Sequence, residues 1–414
     1  MLYGQQLGKK TVDRYEQVCF FSEGEFQRRH RAVMKKMEER DVDLLLIADP
    51  KLEGFGVWLA YDMLCDYVML DREGTVTVVY GHEYGKRMDT TLYPQRRTRV
   101  KTPVPVADNI RYAWGMNVDY LTAMVKRSRQ IGIINRHALR KGLVDELLSD
   151  TPGLTFVDMR VDVGMIRVVR SPEEQQAIAC TANAQEKLMA AVPLMMREGM
   201  YMRDVILDLT HYATELGCGR DEIQIFAMRC GLENDGGTYP RFVPIIPQSF
   251  DAPGKIQKGW IAQIMLEMNS FGGLMLDTGR LFSMGEPHPF TKKAWEDARR
   301  IQEFAVDLLR PGMTCRKIMK LSQEYAAGIG RNLVFGNFCH GLGNSRTESP
   351  DVRDETTCDL PFEENMHLLC EPNIAYSYGP DGPESVILIP DSFYVSPNGG
   401  IPTTKISHEL FVID

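Results

Sequence analysis

Four apolar stretches of strand length each carry ionisable side chains where a purely structural strand would place hydrocarbon. They are Ile264-Met265-Leu266-Glu267-Met268, Leu274-Met275-Leu276-Asp277, His367-Leu368-Leu369-Cys370-Glu371 and Ile406-Ser407-His408-Glu409-Leu410-Phe411. A carboxylate taken out of water is costly unless a counter-charge, hydrogen bonds or a metal ion compensates. Strands far apart in the chain must therefore meet one another, or meet arginines. Phe338-Cys339-His340-Gly341-Leu342-Gly343 adds an imidazole beside glycines that let a ligand approach the backbone. Carboxylates with one or two histidines form a hard-to-borderline donor set, suited to Mn, Fe, Co or Zn. The competing reading neutralises each acid with a nearby arginine, Arg280 being the obvious partner for Asp277.

The order of elements frames these strands. Phe26, Val33, Met34 and Met37 mark one face of a helix over residues 23–40, with Arg28, Arg29, Lys35 and Lys36 on the other side. The apolar run Val42 to Ala48 follows as a strand, with Asp49-Pro50 as a turn. Strand-length runs at 75–80 and 130–134 alternate with a helical stretch at 138–149, which predicts an α/β layer domain over the first third of the chain. Ser171-Pro172-Glu173-Glu174 reads as a capping box opening a long helix, which Pro193 should end. The segment 160–170 before it is the expected domain junction. Beyond it come strands at 259–268, 273–277, 366–371 and 407–413, and helices near 200–216, 291–309 and 315–327.

Composition narrows the function. With 44% apolar and 25% charged residues the chain is an ordinary globular protein of 414 residues, which suits two domains. Lys plus Arg number 48 against 56 Asp plus Glu, and a net charge of -8 offers no overall attraction to nucleic acid or anionic lipid. No apolar run approaches membrane-spanning length and the N-terminus does not read as a signal peptide, so a cytoplasmic protein is expected. Nine cysteines without regular spacing fit a reduced compartment.

The order of segments resembles the pita-bread superfamily of creatinase, Xaa-Pro dipeptidase and aminopeptidase P. Phe21-Ser22-Glu23-Gly24-Glu25-Phe26 with the following helix and strand is similar to the creatinase-type N-terminal domain. Val168 to Glu174 is like the entry to the catalytic domain, and Leu309-Arg310-Pro311-Gly312-Met313-Thr314 matches a common connector. The resemblance implies an α/β N-terminal domain over residues 1–165 and an α+β pita-bread domain over 166–414, a curved sheet flanked by helices. Its ligand positions fall on Glu267, Asp277, His340, Glu371 and either His408 or Glu409, which would hold one or two divalent ions if metal is bound.

The motifs are partly altered. Glu267 and Asp277 stand 10 apart, one less than the usual peptidase spacing. The second His of the His-Gly-Ile-Gly…His-Glu-x-Pro motif is Thr347, followed by Glu348 and Pro350; Asn373 replaces the Gly of Glu-Pro-Gly; His408 stands at the last acidic ligand. Loss of the second His removes a proton shuttle and speaks against ordinary proline-peptide cleavage. Thr238 occupies the position of the catalytic His of creatinase, beside Tyr239.

The expectation is a hydrolase acting on a carbon–nitrogen bond of a small molecule or short peptide, metal-assisted or metal-independent. Glu371, Glu348 and Glu267 are the candidate acids and bases, while Arg346, Thr347, Tyr239 and Thr238 line the pocket. Arg346 suits a substrate carboxylate. The alternatives are a dimethylsulfoniopropionate-type lyase of the same fold and a binding module whose site has decayed. A homodimer is what the resemblance implies, with neither nucleic acid nor membrane as partner.

Overall fold

The computed structural model describes residues 21–48, 52–61, 65–80, 109–112, 127–139, 145, 148–149, 151–219, 224–230, 255–333, 338–377 and 384–414. The chain divides into two compact units, Met1–Arg167 and Val168–Asp414. The predicted turn at Asp49-Pro50, most of the predicted helix 138–149, and Thr238 and Tyr239 lie outside the described residues.

In the first unit, helix α1 (Glu23–Glu39) begins at Ser22, whose side chain accepts a hydrogen bond from the Glu25 amide. Phe26, Val33 and Met37 are buried as expected. Arg29 departs from the expectation, being buried as well. It donates to Glu25 Oε1 and Trp58 O, and its guanidinium lies 4.3 Å from the Phe21 ring centre, so a buried charge is met by an acid, a carbonyl and aromatic faces. Short helix α2 (Phe55–Ala60) supplies Trp58. The sheet holds β1 (Leu44–Ala48), β2 (Tyr67–Asp71), β3 (Val76–Tyr80), β4 (Asn109–Tyr112), β5 (Gln130–Ile134) and β6 (Thr155–Asp158) in the order β4-β3-β2-β1-β5-β6. Leu44, Leu46, Met69, Ile131 and Ile133 make its core.

Helix α3 (Arg160–Val168) carries the chain to the second unit. There α4 (Pro172–Met195) starts at the predicted capping box: Glu174 N donates to Ser171 Oγ, and Ser171 N to Glu174 Oε2. Pro193 lies inside the helix, which runs on to Met195. A proline this near the end forfeits one hydrogen bond, and the Met196 amide still bonds Val192 O. Helix α5 (Met202–Glu215) follows. Strands β7 (Gln224–Cys230), β8 (Ile261–Asn269) and β9 (Met275–Met284) form a meander that β18 (Phe411–Ile413) joins in parallel. Helices α6 (Pro289–Asp307) and α7 (Cys315–Gly328) precede the rest. β10 (Asn332–Leu333), β14 (Asn373–Ser377) and β15 (Glu384–Leu388) make a three-stranded sheet. β11 (Cys339–Gly341), β12 (Glu348–Asp351), β13 (His367–Cys370), β16 (Asp391–Tyr394) and β17 (Ile401–Pro402) make a five-stranded one. The α4 and α5 faces pack on β8 and β9 through Leu188, Val192, Val205, Leu209, Ile264 and Leu266.

Candidate active site

The hairpin β8–β9 sets Glu267 directly opposite Asp277, so the two carboxyl groups project from one face. Helix α4 fixes that register. Gln185 Nε2 donates to Leu266 O and Leu276 O, while Thr278 Oγ1 donates to Gln185 Oε1. One buried amide thus ties the neighbours of both acids. In the other sheet His340 stands opposite Leu369, and Glu371 extends the ladder by donating its amide to Phe338 O. Side chains two apart share a face of a strand, so His340 and Glu371 emerge together.

The sheets meet where β9 crosses β16. Ser392 Oγ exchanges hydrogen bonds with the Asp277 backbone, and Gly279 N donates to Pro390 O. A Cβ on Gly279 would lie 2.7 Å from the Pro390 ring, so glycine is required for this approach. Met275, Leu342 and Leu369 pack together beside the crossing.

Electrostatics confirm that three acids crowd one another. Burial, then the charges of Glu267, Glu371 and Asp391, hold Asp277 well above the ordinary carboxylate range, with Arg346 opposing. Burial and the Glu267 charge push Glu371 up to about 8, against the pull of Arg353. Glu267 is also raised by burial, and Arg346, whose Nε lies 3.6 Å from its Oε2, pulls it back. His340 is lowered by burial. Its Nδ1 lies 2.8 Å from Gly341 O; a proton assigned there by that bond leaves Nε2 as an acceptor. His340 Nε2 and Asp277 Oδ1 are buried without a hydrogen-bond partner.

Other expected residues stand elsewhere. His408 Nε2 lies 2.9 Å from Asp391 Oδ2. Glu409 is exposed, its amide on Ser407 Oγ. Glu348 is buried between Arg170 Nη2 at 2.5 Å and the amides of Asn344 and Ser345, which leaves its oxygens shaping the β11–β12 loop. Thr347 Oγ1 accepts from Arg353. Arg280 is not the partner of Asp277: both its terminal nitrogens bond Asp391, and it also donates to Ser407 O and Ile406 O. Burial alone would raise Asp391, but Arg280 and His408 outweigh it and hold the carboxylate below its usual range. The glycines of the His340 motif make room for the protein rather than a ligand. A Cβ on Gly343 would fall 1.9 Å from Arg170 Nη2, and one on Gly341 2.6 Å from Ser349 O.

Sequence reasoning missed Asp391, Arg170 and Arg353. Asp391 closes the apolar run Val386-Ile387-Leu388-Ile389-Pro390 and obeys the same buried-acid rule as the four strands above. Arg353 carried no signal, since its role depends on Asp351 orienting it two residues back.

A family model for metallopeptidase family M24 matches residues 176–397, over half of the chain. The chain belongs to this family. Within it the protein is a divergent member of the pita-bread superfamily, with the two-domain fold of that group. It is 20% identical to a Xaa-Pro dipeptidase of Pyrococcus horikoshii over 92% of this chain and 97% of that one. It is 25% identical to an ectoine hydrolase of Halomonas elongata over 56% and 57% of the two chains. The crystal structure of dipeptidase PepE from Mycobacterium ulcerans superposes with a TM-score of 0.70 at 20% identity, covering 95% of this chain and 99% of that one.

M24 proteins generally use two metal ions. The residues present do not fit such a centre. Among the described residues no three His, Cys, Asp or Glu side chains lie together as a metal ion requires. His408, at the last ligand position, has its Nε2 engaged with Asp391. Arg346 Nε lies 3.6 Å from Glu267 Oε2, so another of the candidate ligands already faces a fixed positive charge.

Proposed function

We propose that this M24 protein is a hydrolase of a carbon–nitrogen bond, an amide in a short peptide or a small molecule, working through its own acid and base groups. The observation that carries this reading is the meeting of Glu267, Asp277 and Glu371 beside His340, four groups from three distant segments. Acids whose surroundings differ can divide the work of base and acid. Glu267, nearest Arg346, is the one favoured as carboxylate and would take a proton from the attacking water. Glu371, deeper and held protonated by burial, would give one to the departing nitrogen. The neutral His340 offers Nε2 as an acceptor that orients water or substrate, and Arg346 stands at the rim for a substrate oxygen. Relatives named as dipeptidase and ectoine hydrolase support the bond type.

The test is a hydrolysis panel of Ala-Pro-type dipeptides, ectoine-like cyclic amides and creatine-like amidines, read by amine release. Turnover of one class, abolished by Glu371→Gln in a protein of unchanged melting temperature, is expected. Release of a volatile sulfide from dimethylsulfoniopropionate would instead assign the lyase chemistry, and binding without any turnover a recognition role. A cytoplasmic location and a homodimer belong to the same reading; no described helix is long and apolar enough to cross a membrane.

A further inference from the structure

Arg280 and Asp391 are buried together next to Asp277, with the half-buried His408 on Asp391, and the M24 metal requirement leaves this set unexplained. Asp391 receives two bonds from Arg280, at 3.0 and 3.1 Å, one from Gln302 Nε2 at 3.1 Å, and lies 2.9 Å from His408 Nε2. Arg280 in turn donates to Gly279 O, Ile406 O and Ser407 O, and Trp295 Nε1 donates to His408 O. Every group in the set is committed to another, and Arg280 is fully buried. The Arg280–Asp391 pair holds one geometry, because moving either member strands a charge away from water.

We infer that this protein does not hold the metal pair of its family: His408, at the last ligand position, is engaged by Asp391, and Arg346 sets a fixed positive charge beside Glu267. His408 Nε2 is not open to an ion while it is bonded to Asp391. Arg346 faces Glu267 at 3.6 Å across the same acids, where it occupies the electrostatic role of a cation. The Arg346 guanidinium cannot be deprotonated, so it supplies permanent positive charge without a dissociable ligand. The inference concerns which ions the chain binds; it shares the metal-free part of the hydrolase reading and is independent of which bond is cleaved.

The experiment uses the full chain, purified without chelator, with elemental analysis and thermal melts in the presence of Mn, Co or Zn salts. The expected result is far less than one ion per chain and no saturable upward shift in melting temperature. The variant His408→Glu, which restores the family's acidic donor at the exchanged ligand position, is expected to gain saturable metal binding and a metal-dependent shift of several degrees. Should His408→Glu unfold the protein, Arg346→Ala, which removes the fixed charge beside Glu267, is titrated in the same way and is expected to bind metal more tightly than the wild type. Stoichiometric metal in the wild type would overturn the inference, whether or not any substrate is cleaved. A folded variant that binds no more metal than the wild type would overturn the assignment of the loss to His408 and Arg346.

Discussion

His367 is fully buried, its Nδ1 against Leu342 O at 2.8 Å and its ring 5.3 Å from that of Tyr394. Burial and then the Arg170 charge push its imidazole down to about 3, outweighing Glu348. The unfolded chain takes up this proton near pH 6.5 and the folded one only near 3, so the contribution to stability is whole above 6.5 and drains away as pH falls toward 3. At pH 5 the loss is about 2 kcal/mol. His367→Phe should remove that component, since Leu342 O keeps its bond from Arg170. Thermal melts at pH 7.5 and pH 5 check it: the wild type should lose more on acidification than the variant, and equal losses would refute the assignment.

The acids of the site should separate by the same kind of comparison. Glu371→Gln and Glu267→Gln should each lower kcat by about 100-fold or more with little change in melting temperature. Glu348→Gln should cost stability first, about 3 kcal/mol, because it strips the counter-charge from buried Arg170. Urea unfolding alongside the rate assay distinguishes the two patterns.

The β11–β12 loop, residues 342–347, is the element on which Arg346 is mounted, and its shape comes from a few bonds to one arginine and one acid. Arg170 holds Leu342 O and Glu348, and Glu348 holds the amides of Asn344 and Ser345. Gly343→Ala would drive a methyl into Arg170, whose far end has no freedom to retreat. Loss of about 2 kcal/mol is expected, together with a larger rise in KM than fall in kcat, because Arg346 is displaced while Glu371 is not. Steady-state kinetics on the substrate found in the panel measure the split; unchanged KM would sink it. Elements of this kind were legible in the sequence where periodicity and caps speak, as at α1, β5, α4 and α7. What the sequence could not say is which arginine serves which acid. Arg280 lies three residues from Asp277, yet in a strand that odd spacing sends the two side chains to opposite faces, and Arg280 finds Asp391 there. Nearness along the chain misled for that geometric reason. Arg29 misled likewise, its guanidinium lying buried over the Phe21 and Phe26 rings.

At the scale of the molecule, each unit carries its own sheet and its own apolar core, and the division between Arg167 and Val168 has a local cause. Arg167 is anchored in the first unit, donating to Glu53 O with its guanidinium 4.0 Å from the Phe55 ring centre, whereas Val169 bridges to Met366 in the second. One helix therefore delivers adjacent residues to separate cores. Units with separate cores commonly unfold as separate cooperative blocks. Leu45 and Leu266 are both fully buried, one in each unit, and truncating either to alanine should cost about 2–5 kcal/mol. In differential scanning calorimetry Leu45→Ala should lower one transition and Leu266→Ala the other, leaving the second peak in place each time. The candidate site lies wholly in the second unit, so activity should disappear with the transition that Leu266→Ala moves. A single transition displaced equally by both substitutions would show that the two cores share one fate, and the site would then depend on the N-terminal sheet for its survival.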